Sequence, residues 1–469
     1  MFSMFLFRQD QILQLREMLQ APGPGAVLVR GPKLMGKSTL VRQALSRRPS
    51  TWLQGSPLPA PLLAREHGAR FAVGDGPDSP VDGWSGFSAG LRHHLDLGSL
   101  DGSVLVWDRA DRLLRDPRWR QMLQEVWTEL RLRARPVHLV FIVRAPPPPR
   151  ALEFLAPRGS PLPEFRVGPL GLREATARIP GWSPARRIAA FSLLGGEPAV
   201  WDRVDPEVRF STNLVRLFLE PGAPLRRFVD ERFQVPGLNP ERTLAIVNSL
   251  SHGAREWGDI KEAAMVFKTI SELGPYMKGL SDDGMMESRR SLDAAPGGRR
   301  RRHRLIPPLL ASWHGLVRPR LAELDGGASP RRVWKETIRP GVDALVARRL
   351  PDLVADHLLR HGEENLHARA RETGSLWGEG VDIPVAGILK NGGAVYGTTS
   401  WEDPGPDAVG ALARQVAETR YGYGREARTL ILFSARPVSW AVERSVARRG
   451  DAVLLGPRHL VGNHARSGE

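Results

Sequence analysis

Continuous apolar runs and a helical spacing of apolar residues follow one another near the start of the chain, which is typical of an α/β domain. Residues 26–30 (AVLVR) form a short, largely apolar run that includes two β-branched valines, which predicts a buried strand. Residues 39–48 then place Leu40, Val41 and Leu45 on one face, which predicts a helix. Residues 104–107 (VLVW) and 137–143 (VHLVFIV) are further apolar runs that predict core strands. We therefore expect a parallel sheet covered by helices.

The segment between the first strand and its helix carries a phosphate-binding pattern. Residues 31–38 (GPKLMGKS) fit G-x-x-x-x-G-K-[ST], and the strand and helix on either side are the context that this motif needs. Backbone amides and the helix N-terminus would surround phosphate, Lys37 would reach the β- and γ-phosphates, and Ser38 would hold Mg²⁺. The alternative is a chance match in a glycine-rich chain. The predicted nucleotide-binding residues are Gly31, Pro32, Lys33, Leu34, Met35, Gly36, Lys37, Ser38 and Thr39.

A second acidic position follows the apolar run at residues 104–107. Asp108 stands at the end of that predicted strand, where it would hold Mg²⁺ through water. The next position is often a glutamate that orients the attacking water, but here it is Arg109, which cannot accept a proton. Asp111 is an alternative base a few residues further on. The pattern predicts that nucleotide binding is retained and that hydrolysis is slow.

Two weaker boxes flank these motifs. Residues 5–15 keep Phe5 and Arg8 of an F-x-G-R-E-like box, with Phe7 in place of glycine, and residues 193–201 keep Gly195, Gly196 and Pro198 of a G-G-x-P box. In this order the motifs make the chain resemble the archaeal-type P-loop ATPase family, a relative of the STAND and AAA+ groups. The resemblance implies that the nucleotide is ATP, that Arg8 and Pro198 lie near it, and that a winged helix and a C-terminal restriction-endonuclease-like domain follow.

Residues 239–312 carry the pattern of the winged helix. Two short helices, a third helix at residues 271–284 and two wing strands are predicted. Basic residues of the third helix and the wing would contact DNA phosphates. The alternatives are a solvated basic wing or one that docks on an acidic partner. Asp282 and Asp283 would repel phosphate, so base-specific recognition is not expected. The predicted DNA-binding residues are Lys278, Arg299, Arg300, Arg301 and Arg302.

The last part of the chain predicts a mixed α/β domain with a hairpin at residues 381–401, split by KNGG. Nucleases of the resembled family place an Asp on the first strand and E-x-K on the second. Asp382 matches the first acid, but Thr398 stands at the second acid position and Ser400 at the lysine position. One carboxylate and two hydroxyls make a poor Mg²⁺ site, so we expect a degenerate domain without nuclease activity. A register slip that brings in Glu402 or Asp403 is the alternative.

Composition adds limits on the class of protein. The 469 residues include no Cys, which excludes disulfides and thiolate metal sites, and no apolar run approaches the roughly 18–20 residues of a membrane span. We therefore expect a cytoplasmic protein without a membrane partner. The formal net charge of +16 favours polyanions such as nucleic acid, although an arginine-rich codon bias would give the same value.

Taken together, the patterns predict an α/β chain with a P-loop NTPase parallel-sheet domain, a helical lid, a winged helix and a mixed α/β endonuclease-like domain. The predicted boundaries are 1–180, 181–238, 239–312 and 313–469. The expected cofactors are ATP and Mg²⁺. The expected partners are duplex DNA and a protein that docks on the winged-helix or C-terminal domain. The sequence leaves open whether the chain forms an oligomer. The preferred function is a nucleotide-dependent switch or scaffold with weak or absent hydrolysis. The alternatives are an active ATPase of a DNA-associated complex and a DNA-binding regulator in which nucleotide is incidental.

Overall fold

The chain divides into two units, Met1–Pro169 and Leu170–Glu469. The computed structural model describes residues 8–20, 22–56, 58–71, 83–144, 147–148, 150–157, 159–232, 237–295, 298, 300–378, 380–425 and 427–462. The finer division into four domains stays a prediction.

The first unit is built on a parallel sheet with the strand order β2-β3-β4-β1-β5. Its strands are β1 (Gly25–Arg30), β2 (Ser50–Gln54), β3 (Val104–Asp108), β4 (His138–Val143) and β5 (Glu164–Arg166). Its helices are α1 (Gln9–Met18), α2 (Lys37–Ala44), α3 (Ala60–Gly68), α4 (Gly83–Asp96) and α5 (Pro117–Leu132). The strands predicted from residues 26–30, 104–107 and 137–143 are therefore β1, β3 and β4.

Both faces of this sheet are buried, which explains why its central strands are apolar except at their ends. Alternate side chains of β1, β3 and β4, such as Leu28 and Trp107, pack in a core cluster with residues of α3, α4 and α5. The intervening side chains, such as Val29 and Val106, pack in a second cluster with residues of α1 and α2. A strand with two covered faces needs an unbroken apolar run, because successive side chains point to opposite faces. The parallel direction brings the carboxyl ends of the strands to one edge.

The second unit starts with a helical region. Its helices are α6 (Leu172–Thr176), α7 (Pro184–Leu194), α8 (Pro198–Trp201), α9 (Phe210–Leu214) and α10 (Pro224–Arg232). Turns of π-helical geometry at Val215–Leu219, Trp313–Val317 and Trp334–Ile338 continue three of the helices of this unit. No helix in the described part of the chain is both long and apolar enough to cross a membrane.

The winged-helix pattern corresponds to three helices and an antiparallel pair of strands. The helices are α11 (Pro240–Ser251), α12 (Trp257–Ala264) and α13 (Gly274–Asp282), and the strands are β6 (Met286–Arg289) and β7 (Arg302–Leu305). A 3₁₀ turn at Ile270–Leu273 precedes α13, so Pro275 falls at the start of the helix, where its missing amide costs nothing.

The C-terminal region forms a mixed sheet with the order β12-β11-β10-β9-β8. Its strands are β8 (Ala370–Gly378), β9 (Val381–Leu389), β10 (Ala394–Ser400), β11 (Arg428–Ser434) and β12 (Ala452–Leu455). Strands β8, β9 and β10 pair antiparallel, whereas β10, β11 and β12 pair parallel. The helices are α14 (Pro308–Ser312), α15 (Leu321–Asp325), α16 (Pro330–Val333), α17 (Arg339–His361), α18 (Glu363–Leu366), α19 (Ala408–Glu418), α20 (Trp440–Ala447) and α21 (Pro457–Val461).

Candidate nucleotide-binding site

The loop from residue 31 to residue 36 joins β1 to α2 at the carboxyl edge of the first sheet. A Cβ atom at Gly31 would lie 2.0 Å from the carbonyl oxygen of Val167, so only glycine fits at the start of the loop. Gly36 has a φ of 76°, a left-handed conformation that glycine adopts without strain, and it is the residue immediately before α2. The backbone therefore turns tightly and directs the N-terminus of α2 toward the space that the loop surrounds, which is the arrangement that binds phosphate.

Lys37 is the first residue of α2 and lies folded over the loop. Its Nζ donates hydrogen bonds to the carbonyl oxygens of Gly31 and Pro32, each at 2.7 Å. The side chain is only 9% exposed, so its charge is held inside the loop rather than in solvent. An ammonium held in this position is placed to meet phosphate oxygens that enter the loop.

Asp108 ends β3, and the register of the sheet places it close to this loop. Asp108 aligns with Ile142 of β4, which in turn aligns with Val29 near the end of β1. Two strand spacings separate the Asp108 and Val29 backbones, a distance of about 10 Å. The Asp108 side chain is 8% exposed, and its carboxylate has no hydrogen-bond or ion-pair partner among the described residues. A buried carboxylate of this kind suits a cation, and the predicted part of the Ser38 hydroxyl in holding that ion stays a prediction.

The chain turns away from the direction of β3 immediately after Asp108. Arg109 has a φ of 58° and an exposed side chain, and the amide of Ala110 donates to the carbonyl oxygen of Ile142. The Asp111 carboxylate accepts a hydrogen bond of 2.8 Å from the backbone amide of Arg144, just beyond β4. Asp111 thus ties the turn after β3 to the end of β4, which occupies part of its capacity to accept a proton.

The two remaining residues predicted near the nucleotide have structural contacts of their own. Arg8 is buried and donates from Nη2 to the carbonyl oxygen of Gly168 at 2.8 Å, next to the residue that Gly31 contacts. Phe5 and Phe7 of the same box lie outside the described residues. Pro198 is buried at the start of α8 in the second unit. The roles of Arg8 and Pro198 toward a nucleotide stay predictions.

The basic residues predicted to bind DNA have different surroundings. Lys278 forms an exposed ion pair with Asp282 one turn later, and Arg300 pairs with Glu256 at 3.3 Å. Arg301 is half-buried, and Arg299 lies outside the described residues. Arg302 donates from Nη1 to Oδ1 of Asp382 at 2.9 Å, so its charge is directed to the C-terminal sheet.

The hairpin predicted to be a degenerate nuclease site is present as β9 and β10. Asp382 is the second residue of β9, and its carboxylate is bound by Arg302. Thr398 and Ser400 lie half-buried in β10. Beyond the strand, Glu402 faces Arg436 at 3.9 Å and the Asp403 carboxylate accepts from the amides of Gly405 and Ser439. These amides hold the pKa of Asp403 below its usual value. No group of three or more His, Cys, Asp or Glu is placed to hold a metal in the described part of the chain.

The sheet order, the glycine-bounded loop and the acid at the end of β3 define the first unit as a P-loop NTPase domain of the AAA-like type. The α/β fold predicted from the sequence is confirmed. The mixed sheet of the second unit is also observed, whereas its endonuclease-like character stays a prediction.

Known proteins resemble the chain in structure. No family model matches it, and no curated protein matches it significantly. A Walker-type ATPase of Pyrococcus abyssi shares 16% identity over 66% of this chain and 95% of its own, with a TM-score of 0.45. The Orc1 protein of Aeropyrum pernix, solved in complex with DNA, shares 16% identity over 69% of this chain and 98% of its own, with a TM-score of 0.36. A STAND protein with a tetratricopeptide repeat sensor from Pyrococcus horikoshii shares 13% identity over 76% of this chain and 50% of its own, with a TM-score of 0.28. The structures that resemble the chain thus include a Walker-type ATPase, an Orc1 protein and a STAND protein, each with a TM-score below 0.5.

Proposed function

We propose that the protein is an ATP-binding switch in which the nucleotide, bound with Mg²⁺ in the first unit, controls the conformation of the second. The observation that carries the proposal is Lys37, held over the phosphate loop by two backbone carbonyls. Phosphate oxygens take the place of those carbonyls as acceptors, so binding reorganises the loop and the start of α2. Asp108 and Ser38 hold Mg²⁺, which neutralises phosphate charge when bound.

Slow hydrolysis is the second part of this proposal. Arg109 supplies no proton acceptor after Asp108, and its positive φ directs the chain away from the strand. The Asp111 carboxylate is already bonded to the Arg144 amide. A site that binds tightly and turns over slowly keeps the triphosphate state long enough to act as a signal, as a switch requires. The Asp382 hairpin serves binding or structure in this proposal, since Thr398 and Ser400 supply no carboxylate or lysine.

The switch is tested by hydrogen exchange of the full-length protein with ADP or with a non-hydrolysable ATP analogue. We expect the two nucleotides to give different amide protection in the second unit, above all in α7 and α8 around the Gly195 turn. A ligand shifts a conformational equilibrium only through different affinities for the two states, so exchange is the direct measurement. The Lys37→Ala variant is the control and should show no difference. Equal protection with both nucleotides throughout the second unit would contradict the switch.

DNA association is the second candidate function. The net charge of +16 and the arginines of the wing favour it. Changing Arg300 and Arg301 together to Ala should lower the slope of log affinity against log salt by about two, because each phosphate contact contributes close to one. Fluorescence anisotropy with a short duplex over a salt series measures this slope.

The control for the DNA experiment removes the same charge elsewhere. Arg331 and Arg448 are exposed and lie outside the wing, so their double Ala variant should keep the slope of the unmodified protein. Absence of binding at low salt would end the DNA hypothesis, and equal loss in both double variants would show a general charge effect.

A further inference from the structure

A cavity in the second unit is bounded by the wing strand β7, the helix α17 and the first strands of the C-terminal sheet. Its volume is about 480 Å³, which is within the range of small-molecule sites in proteins. The end of α11 and the turn after it close one side, and Asp382 and Thr399 belong to its wall. The cavity therefore lies where the sequence predicted the degenerate nuclease hairpin, with the wing packed against it.

The walls of the cavity carry an excess of positive charge. The described residues that line it include the aspartates Asp352 and Asp382 and six arginines, Arg255, Arg289, Arg302, Arg304, Arg348 and Arg349. Both carboxylates are already paired. Asp382 is bound by Arg302, and Asp352 is shared by Arg289 at 2.8 Å, by Arg304 and by Arg349 at 3.7 Å. The two aspartates of the wall therefore form ion pairs with four of the six arginines, and the other two arginines pair with neither aspartate.

Those two arginines, Arg255 and Arg348, lie near one another. The Nη1 atom of Arg348 is 3.2 Å from where a Cβ at Gly253 would be, two residues before Arg255. Neither guanidinium has a carboxylate within 4.0 Å among the described residues. Burial, followed by the charge of Arg255, lowers the pKa of Arg348. Both residues remain exposed, so water solvates the two charges when the cavity is empty, and an anion that enters the cavity can contact both.

Deeper groups in the cavity point to the same kind of ligand. Burial lowers the pKa of Arg349 to about 9 and that of Arg304 to about 10, so positive charge is held here against a cost in solvation. His303 is 2% exposed, and its Nε2 has no hydrogen-bond partner among the described residues.

The rest of the wall is apolar. Leu250, Leu305, Leu345, Pro351 and Pro384 contribute to it, and the Trp377 ring carries the Arg302 guanidinium 4.9 Å from its centroid. A wall that combines guanidinium groups with apolar surface suits a ligand with a charged end and an organic body. A cavity of this volume accommodates a molecule the size of a mononucleotide and excludes a DNA duplex.

We propose that this cavity binds a small organic phosphate, separate from the nucleotide of the first unit. Arg255 and Arg348 hold the phosphate groups, and the apolar wall contacts the organic part. The site lies between the wing and the C-terminal sheet, so an occupied cavity adds contacts that join these two elements.

The test is calorimetric titration of the full-length Lys37→Ala protein, in which the phosphate loop is weakened, with ADP and with inorganic pyrophosphate as probes. We expect one equivalent to bind, with ADP tighter than pyrophosphate. Adding Arg255→Gln and Arg348→Gln should weaken both by about tenfold or more, since two charge-assisted contacts are lost. Adding Arg331→Gln and Arg448→Gln removes the same charge from exposed positions that do not line the cavity and should leave affinity unchanged. Unfolding midpoints of all variants show whether the fold is retained.

Three results would overturn the proposal. No binding to the Lys37→Ala protein would show that the cavity takes neither probe. Equal weakening by the two double substitutions would show a general charge effect. Loss of binding to a 5′-phosphorylated duplex in the Arg255→Gln, Arg348→Gln protein, with ADP binding intact, would assign these arginines to DNA.

Discussion

Replacing Lys37 by Ala is expected to weaken the binding of Mg²⁺-ATP by about a hundredfold or more. In the structure the Lys37 ammonium is 9% exposed and donates at 2.7 Å to each of two loop carbonyls. Bound phosphates replace those weak acceptors with charged ones, and charge-assisted hydrogen bonds are about twice as strong as neutral ones. Two such contacts correspond to roughly two orders of magnitude in affinity. Isothermal titration calorimetry with ATP and ADP measures the effect.

Lys33→Ala is the matched control for this change. It removes the same charge from the same loop, but Lys33 stands at a variable position of the motif, so we expect an effect several-fold smaller. Residual ATP affinity in Lys37→Ala that disappears with Arg255→Gln and Arg348→Gln belongs to the cavity of the second unit. Unchanged ATP affinity in Lys37→Ala, with no such dependence, would mean that the loop does not bind nucleotide.

The central strands of the first sheet could be predicted from the sequence because both of their faces are covered. Burial on two faces forces an unbroken apolar run, as at residues 104–107, and such a run is visible without any structure. Strand β2 was missed because it lies at the sheet edge and three of its five residues are only half-buried. Strand β5 has three residues, with exposed Glu164 and Arg166 on either side of Phe165, so it has no apolar run at all.

The long helix α17 shows where a local rule fails. The amphipathic pattern of residues 349–362 predicts a helix over that range. The structure instead begins the helix at Arg339 and continues it through Pro351. A proline inside a helix removes a hydrogen bond and costs about 3 kcal/mol. Buried side chains on both sides of it, including Leu345, Leu350 and Val354, offset that cost through tertiary packing.

The two candidate sites differ in how much the sequence could predict. The phosphate loop is contiguous, so its residue types and spacing carry the geometry, and Asp108 follows from the end of an apolar strand. The cavity of the second unit depends on Arg255, Arg348 and Asp382, which come together only after the wing packs on the C-terminal sheet. Nothing in the local pattern of these residues distinguishes them from the other arginines of a basic chain.

Turnover of ATP is expected to be on the order of one per minute or slower, and Asp111→Asn should leave it unchanged. A site without a residue to orient water falls near the slow intrinsic rates of P-loop switches rather than the rates of 1–100 per second of kinases. We expect that Asp111 does not act as the missing base, because one of its carboxylate oxygens already accepts from the Arg144 amide. Asn keeps an oxygen that accepts from that amide, so the change removes basicity with little effect on the turn. Phosphate release under saturating ATP measures the rate.

Asp108→Asn is the companion variant, and its result separates magnesium binding from catalysis. It replaces the buried carboxylate, which has no partner in the described part of the chain, with a neutral group of the same size, so we expect a weaker dependence of ATP affinity on Mg²⁺. A wild-type turnover of many per minute that Asp111→Asn abolishes would make Asp111 the base and the protein a working ATPase. A slow rate unaffected by Asp111→Asn, together with ATP affinity that depends on Lys37 and Asp108, leaves binding as the task of this site. The lifetime of the bound triphosphate then sets how long any signal to the second unit lasts.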